Sequence, residues 1–182
     1  TIGVVIAVVL VAAGGLLLWG STFADGQVRD QLVAQKISFP PAGEALDPYP
    51  ELRQYAGQPV VSGEQAKAYA AYIQHHLDAV AGGQTYSQVS AAASEDPDNA
   101  ELQAQRETLF TGTTLRSMLL QAYAFSVIAT IAWIVAVAAF IASGILLALS
   151  VFGFVRARQT CEAEAPDTQR GSVGAPLPAR GR

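Results

Sequence analysis

Two histidines, one cysteine and six tyrosines are the residues of this chain best suited to chemistry. Their spacing limits what they can do together. His75 and His76 are neighbours, and adjacent side chains on a helix point about 100° apart, so they cannot close on one metal ion as residues at i and i+4 do. The apolar pattern around them puts His75 on the solvent side and His76 at the border of the stripe, one turn after Tyr72. The acids between Glu95 and Glu101 lack the alternating oxygen ligands and central glycine of an EF-hand loop, and read as helix-capping residues. Cys161 is the only cysteine, so the chain has no internal disulfide, and it reads as a tail thiol without a partner. No catalytic residue, cofactor or metal site is expected, and the chain reads as a non-enzyme.

Weaker candidates remain. Tyr49, Tyr55 and Tyr69 are placed to line a pocket if the proline-rich segment Pro40 to Pro59 folds over the main helix. Tyr86, Phe110 and Arg116 are expected contact residues for a partner or for lipid, with Arg116 snorkelling to the headgroups. A formal charge of -4 gives no basic surface for nucleic acid.

The elements that hold these residues follow from an uneven distribution of charge. All 15 acidic and 11 basic residues lie outside two apolar runs, Ile2 to Trp19 and Ser117 to Val155. The first run has eighteen residues, roughly 27 Å of helix against a ~30 Å hydrocarbon core. A signal peptide cleaved after Ala24 is the rival reading, but signal cores run only about 7–15 residues. A retained anchor is therefore expected. The second run is too long for one span and too short for two, and it reads as one long helix with its membrane part at about 126–149. The bilayer is thus the first expected partner.

Between the runs the chain reads as mainly α, without strand alternation. An exit loop is expected at Ser21 to Gly26 and a short helix from Gln27 to Lys36. Five prolines between Pro40 and Pro59 make an irregular segment, with a helical turn at Glu51 to Tyr55. Ser62 and Gln65 form a capping-box pattern ahead of the stripe Ala66, Tyr69, Ala70, Ile73, Leu77 and Val80. Gly82 and Gly83 end that helix, and Thr85 caps the next. Asp96, with Pro97 behind it, is expected to cap a further helix that breaks or kinks at Thr111-Gly112-Thr113. The domains expected are a first transmembrane helix at 1–20, an extracytoplasmic helical domain at 21–116, a long helix at 117–155 and a disordered cytoplasmic tail at 156–182. Arg156 and Arg158 after the second run, with three more arginines in the tail, put both termini in the cytoplasm by the positive-inside rule. The segment between the runs holds twelve acids against six bases, which suits the outer side of the plasma membrane.

Four segments carry a resemblance: Ser38-Phe39-Pro40-Pro41, Gln54-Tyr55-Ala56-Gly57, the stretch from Ala81 to Ser90, and Leu109 to Arg116. In this order they resemble a family of uncharacterised actinobacterial two-span membrane proteins, and the likeness runs to about Thr130. Members are often labelled aromatic ring-opening dioxygenases. Ring opening of that kind uses non-haem iron held by two histidines and a carboxylate, a set that His75 and His76 cannot complete from adjacent positions. The resemblance therefore implies two spans and an outer domain. The function expected is a non-catalytic, membrane-anchored accessory or structural protein of the cell envelope, with a larger membrane complex as its expected partner. The alternative is an extracytoplasmic ligand-binding or sensing module.

Overall fold

The computed structural model describes residues 2–163. Among them are four α-helices, α1 (Ile2–Gln35), α2 (Gly63–Ala81), α3 (Tyr86–Glu95) and α4 (Ala100–Ala163), with a 3₁₀ helix at Pro50–Tyr55. The described residues form no strand; Ser38 and Pro59 make one isolated antiparallel bridge. The chain divides into two compact units, Thr1–Ala12 with Ala139–Arg182, and Ala13–Ala138.

α1 has no loop at Ser21 to Gly26. The whole stretch is helical, and the expected anchor and short helix are one element of 34 residues. No proline precedes Pro40, and isolated glycines such as Gly20 and Gly26 cost only about 1 kcal/mol each. Thr22 points its hydroxyl back along the helix, donating to the carbonyls of Leu18 at 3.1 Å and Trp19 at 3.0 Å. Lys36 ends the helix in the left-handed region at φ 52°.

α4 is longer still, at 64 residues. It runs unbroken through Thr111-Gly112-Thr113, where a break or kink was expected. Gly112 is a packing site: a Cβ there would run into the side chain of Leu77 on α2. Thr113 and Thr114 return their hydroxyls to carbonyls of the preceding turn, each at 2.7 Å. At its start the cap is Asn99 and not Asp96. Asn99 Oδ1 accepts from the Leu102 amide at 3.2 Å, while Asp96 closes the end of α3. Pro97 and Asp98 thus lie in the turn between two helices. α4 also continues through residues 156–163, into the expected tail; residues 164–182 lie outside the described part.

In the unit Ala13–Ala138, α2 is the organising element. Ser62 caps it by accepting from the Gln65 amide, and Gly82 stops it at φ 58°. The return half of the capping box is displaced by one residue, since the Gln65 side-chain Oε1 accepts from the Val61 amide at 2.9 Å. Along its buried face, Ala66 and Ala70 join Leu32 of α1, Phe39, Val60 and Leu119 of α4 in one cluster. Leu77 and Ala81 join Val89 of α3 and Leu109 in a second, and Ile73 packs against both. Small residues let the backbones approach closely. At Gly63 a Cβ would overlap Ser126 and come within 3.4 Å of the Tyr123 Cα.

The proline-rich segment is closed by backbone pairing. The Phe39 amide donates to Gln58, the Gly57 amide to Pro40 and the Val60 amide to Ile37, each at 2.9 Å. The loop between these strips tucks Leu46 and Leu52 inside, 1% and 2% exposed.

Two helices are long and apolar enough to cross a membrane, α1 and the part of α4 up to Arg156. Their apolar stretches carry large side chains on the outside, among them Val5, Val8, Leu16, Ile128, Ile131, Ile134, Ile141 and Ile145. Helices apolar all round and so little covered by their own chain suit a hydrocarbon solvent. In the unit Thr1–Ala12 with Ala139–Arg182, Ala7 is fully buried and its carbonyl accepts a hydrogen bond from Ser143 Oγ at 3.0 Å. Gly3 there faces Ser150, with no room for a Cβ.

Candidate functional site

The residues suited to chemistry converge where the closed proline-rich loop lies on α2. Phe39, 2% exposed, stacks on Tyr55 with centroids 5.2 Å apart and meets Tyr69 edge-on at 5.2 Å. Tyr69 leans on Tyr72 at 5.7 Å, Tyr72 meets Tyr49 edge-on at 6.4 Å, and Tyr49 stacks on His75 at 4.3 Å. His76 contacts Tyr72 at 5.8 Å. The result is a continuous row of rings whose geometries are those that aromatic quadrupoles favour.

This arrangement changes the sequence reading in two ways. Tyr49, Tyr55 and Tyr69 do belong to one neighbourhood, but they do not line a common pocket, because Phe39 fills the space between Tyr55 and Tyr69. The histidines are also exchanged. His75 is the packed one, stacked on Tyr49 with Nε2 3.6 Å from Glu51, and His76 is the exposed one. The loop arriving from Pro50–Tyr55 covers the face that helical periodicity alone assigns to solvent. Phe39 and Tyr72, the rings that join the others, are not among the sequence-predicted site residues; Phe39 was visible only as part of Ser38-Phe39-Pro40-Pro41.

Burial, with the nearby Tyr72 second, raises the Tyr69 phenol above its ordinary value. Tyr69, Tyr72 and His76 also border an open cleft of about 640 Å³ whose opposite wall is α4, from Ala104 to Leu115. Glu107, Thr108 and Thr111 face into it. A second cleft of about 640 Å³ lies between α1 and α4, lined from Phe23 to Ile37 and from Leu115 to Phe125. Near the start of α2, Lys67 Nζ donates to the Tyr123 hydroxyl at 3.3 Å and stands 4.6 Å from that ring's centre. The bond to Tyr123, and the charge of that phenol, raise the Lys67 ammonium above its usual range.

No family model, curated protein or solved structure matches the chain.

The expected contact residues fall apart from the aromatic row. Tyr86 of α3 and Phe110 of α4 touch, with centroids 5.8 Å apart, and both are exposed. Arg116 is half-buried, and its Nε is buried without a hydrogen-bond partner among the described residues. It stands one turn from Gly112 and one turn from Leu119, on the stretch of α4 that carries the core.

Proposed function

We propose that this protein is a non-catalytic, membrane-anchored accessory or structural protein of the cell envelope, bound to a larger membrane complex. One observation carries the reading. The helices that supply the apolar runs are also the walls of the helical domain, with Leu32 of α1 and Leu119 of α4 in the same buried cluster. Anchor and domain are one construction, as a scaffold requires. The groups capable of chemistry are engaged in packing: Tyr55 and Tyr69 flank Phe39, and His75 is held by Tyr49 and Glu51. The resemblance to two-span actinobacterial membrane proteins supports the same architecture. The ring-opening label does not transfer, because the two imidazoles go to different neighbours, Tyr49 and Tyr72.

The domain between the spans faces the extracytoplasmic side in this reading, with both termini in the cytoplasm. Arg156, lying over the Phe152 ring at 5.7 Å, supports it as a basic anchor at the end of the second run. Purification of the tagged chain in mild detergent from its own host tests the proposal. A membrane protein co-migrating at near-equal abundance is expected; a chain that runs alone, where known complexes survive, rules out a stable subunit.

An extracytoplasmic ligand-binding module is the second reading. The cleft between α1 and α4 favours it.

A further inference from the structure

We propose that the cleft between α1 and α4 holds one hydrocarbon chain of a bilayer lipid, drawn up beside the helical domain; the inference rests on the membrane reading above. The cleft lies within the unit Ala13–Ala138 and measures about 640 Å³, inside the ~300–1,000 Å³ range of small-molecule sites. Its apolar lining includes Val28 and Leu32 of α1, Met118, Leu119 and Ala122 of α4, and Ile37. Among the described residues, no acidic or basic side chain lines it, although the segment from Asp25 to Arg116 holds eighteen of them. A charged ligand therefore finds no counter-charge there.

The position of the cleft selects the occupant. Phe23 follows the first apolar run, and Met118, Leu119, Ala122 and Phe125 lie within the second, Ser117 to Val155. Phe23 also stacks on Trp19 at 5.7 Å, which extends the aromatic wall toward the run. A lipid chain enters this cleft from the hydrocarbon side and covers apolar lining that water would otherwise wet. Gln27, Gln31 and Gln35 follow one another at four-residue spacing along α1, and Gln121 stands on α4. All four are exposed and line the cleft. An amide both donates and accepts, so this set suits the ester carbonyls and hydroxyls at the glycerol end of a lipid.

The test uses the full chain in phosphatidylcholine vesicles that include a phosphatidylcholine with a diazirine at the end of one acyl chain. After illumination, labelled peptides are mapped by mass spectrometry. Label is expected at Met118 and Leu119 in addition to Ile128 and Ile131. Label on Ile128 and Ile131 alone overturns the cleft proposal and leaves the membrane reading intact. Failure of the chain to float with the vesicles overturns both. General immersion of the domain is separated by filling the slot: Ala122→Trp, and independently Val28→Phe, should lower label at Met118 about ten-fold, equal to ~1.4 kcal/mol of chain binding. Label at Met118 that persists in both filled variants, with equal label at Val33 outside the cleft, overturns the proposal. If only one variant remains helical, that variant decides.

Discussion

At the level of single residues, Phe39 does what no pattern in the chain announced. It lies three residues after Lys36, is buried, and separates Tyr55 from Tyr69. Replacing it with alanine leaves both tyrosines without their common partner and opens a cavity in the first core cluster. Phe39→Ala should lower stability by about 3–5 kcal/mol, read by denaturant unfolding in detergent. Tyr69 gives a second test. Its phenol binds its proton more tightly in the folded chain, because burial disfavours the phenolate. Stability then falls as pH rises: the contribution is complete below the ordinary value of 10.0 and disappears as pH climbs through the raised folded value. In Tyr69→Phe this part of the alkaline loss should vanish, together with the late phenolate absorbance. A loss identical to that of the parent chain would place the alkaline transition elsewhere.

At the level of elements, helices set by local chemistry were legible and their junctions were not. The Ser62 cap, the helix end at Gly82, the Thr85 cap and the turn at Glu51 to Tyr55 all appear where propensity and capping put them. Each depends on groups within a few residues of one another. The stretch Ser21 to Gly26 stays helical because an isolated glycine costs a helix only about 1 kcal/mol, whereas at Gly112 a glycine's local meaning and its tertiary meaning conflict. Isolated from its neighbours, Gly112 weakens a helix; beside Leu77 it is what lets α2 approach α4. His75 failed for the related reason that a distant loop covers it. The glycines can be sorted by experiment. Gly63→Ala forces a Cβ onto Ser126 and close to the Tyr123 backbone, and should cost about 1–3 kcal/mol. Gly26→Ala, with nothing within 4 Å, should gain up to ~1 kcal/mol from helix propensity. Thermal melts followed by helical circular dichroism distinguish the two; equal shifts of the same sign would contradict this packing.

At the level of the whole molecule, the two apolar helices were plain from hydropathy, since thirty-nine successive residues without a charge leave few other fates. The candidate site was legible only in part, because the aromatic row depends on a loop closed by three backbone hydrogen bonds that no periodicity encodes. Orientation has a direct test in the lone cysteine. In the proposed topology Cys161 is shielded from a membrane-impermeant thiol reagent in intact cells and reacts after lysis, whereas Ser87→Cys, exposed on α3, reacts at once. The reverse pattern inverts the topology. The hydrogen bond from Ser143 to the Ala7 carbonyl has a consequence in time. Its partners are 136 positions apart, so at about 5–20 residues per second a ribosome finishes the second roughly 7–27 s after the first. Throughout that delay Ala7 and Gly3 lack the Ser143 and Ser150 side chains that meet them in the folded chain. The slower the synthesis, the longer the Ala7 carbonyl waits for that hydroxyl.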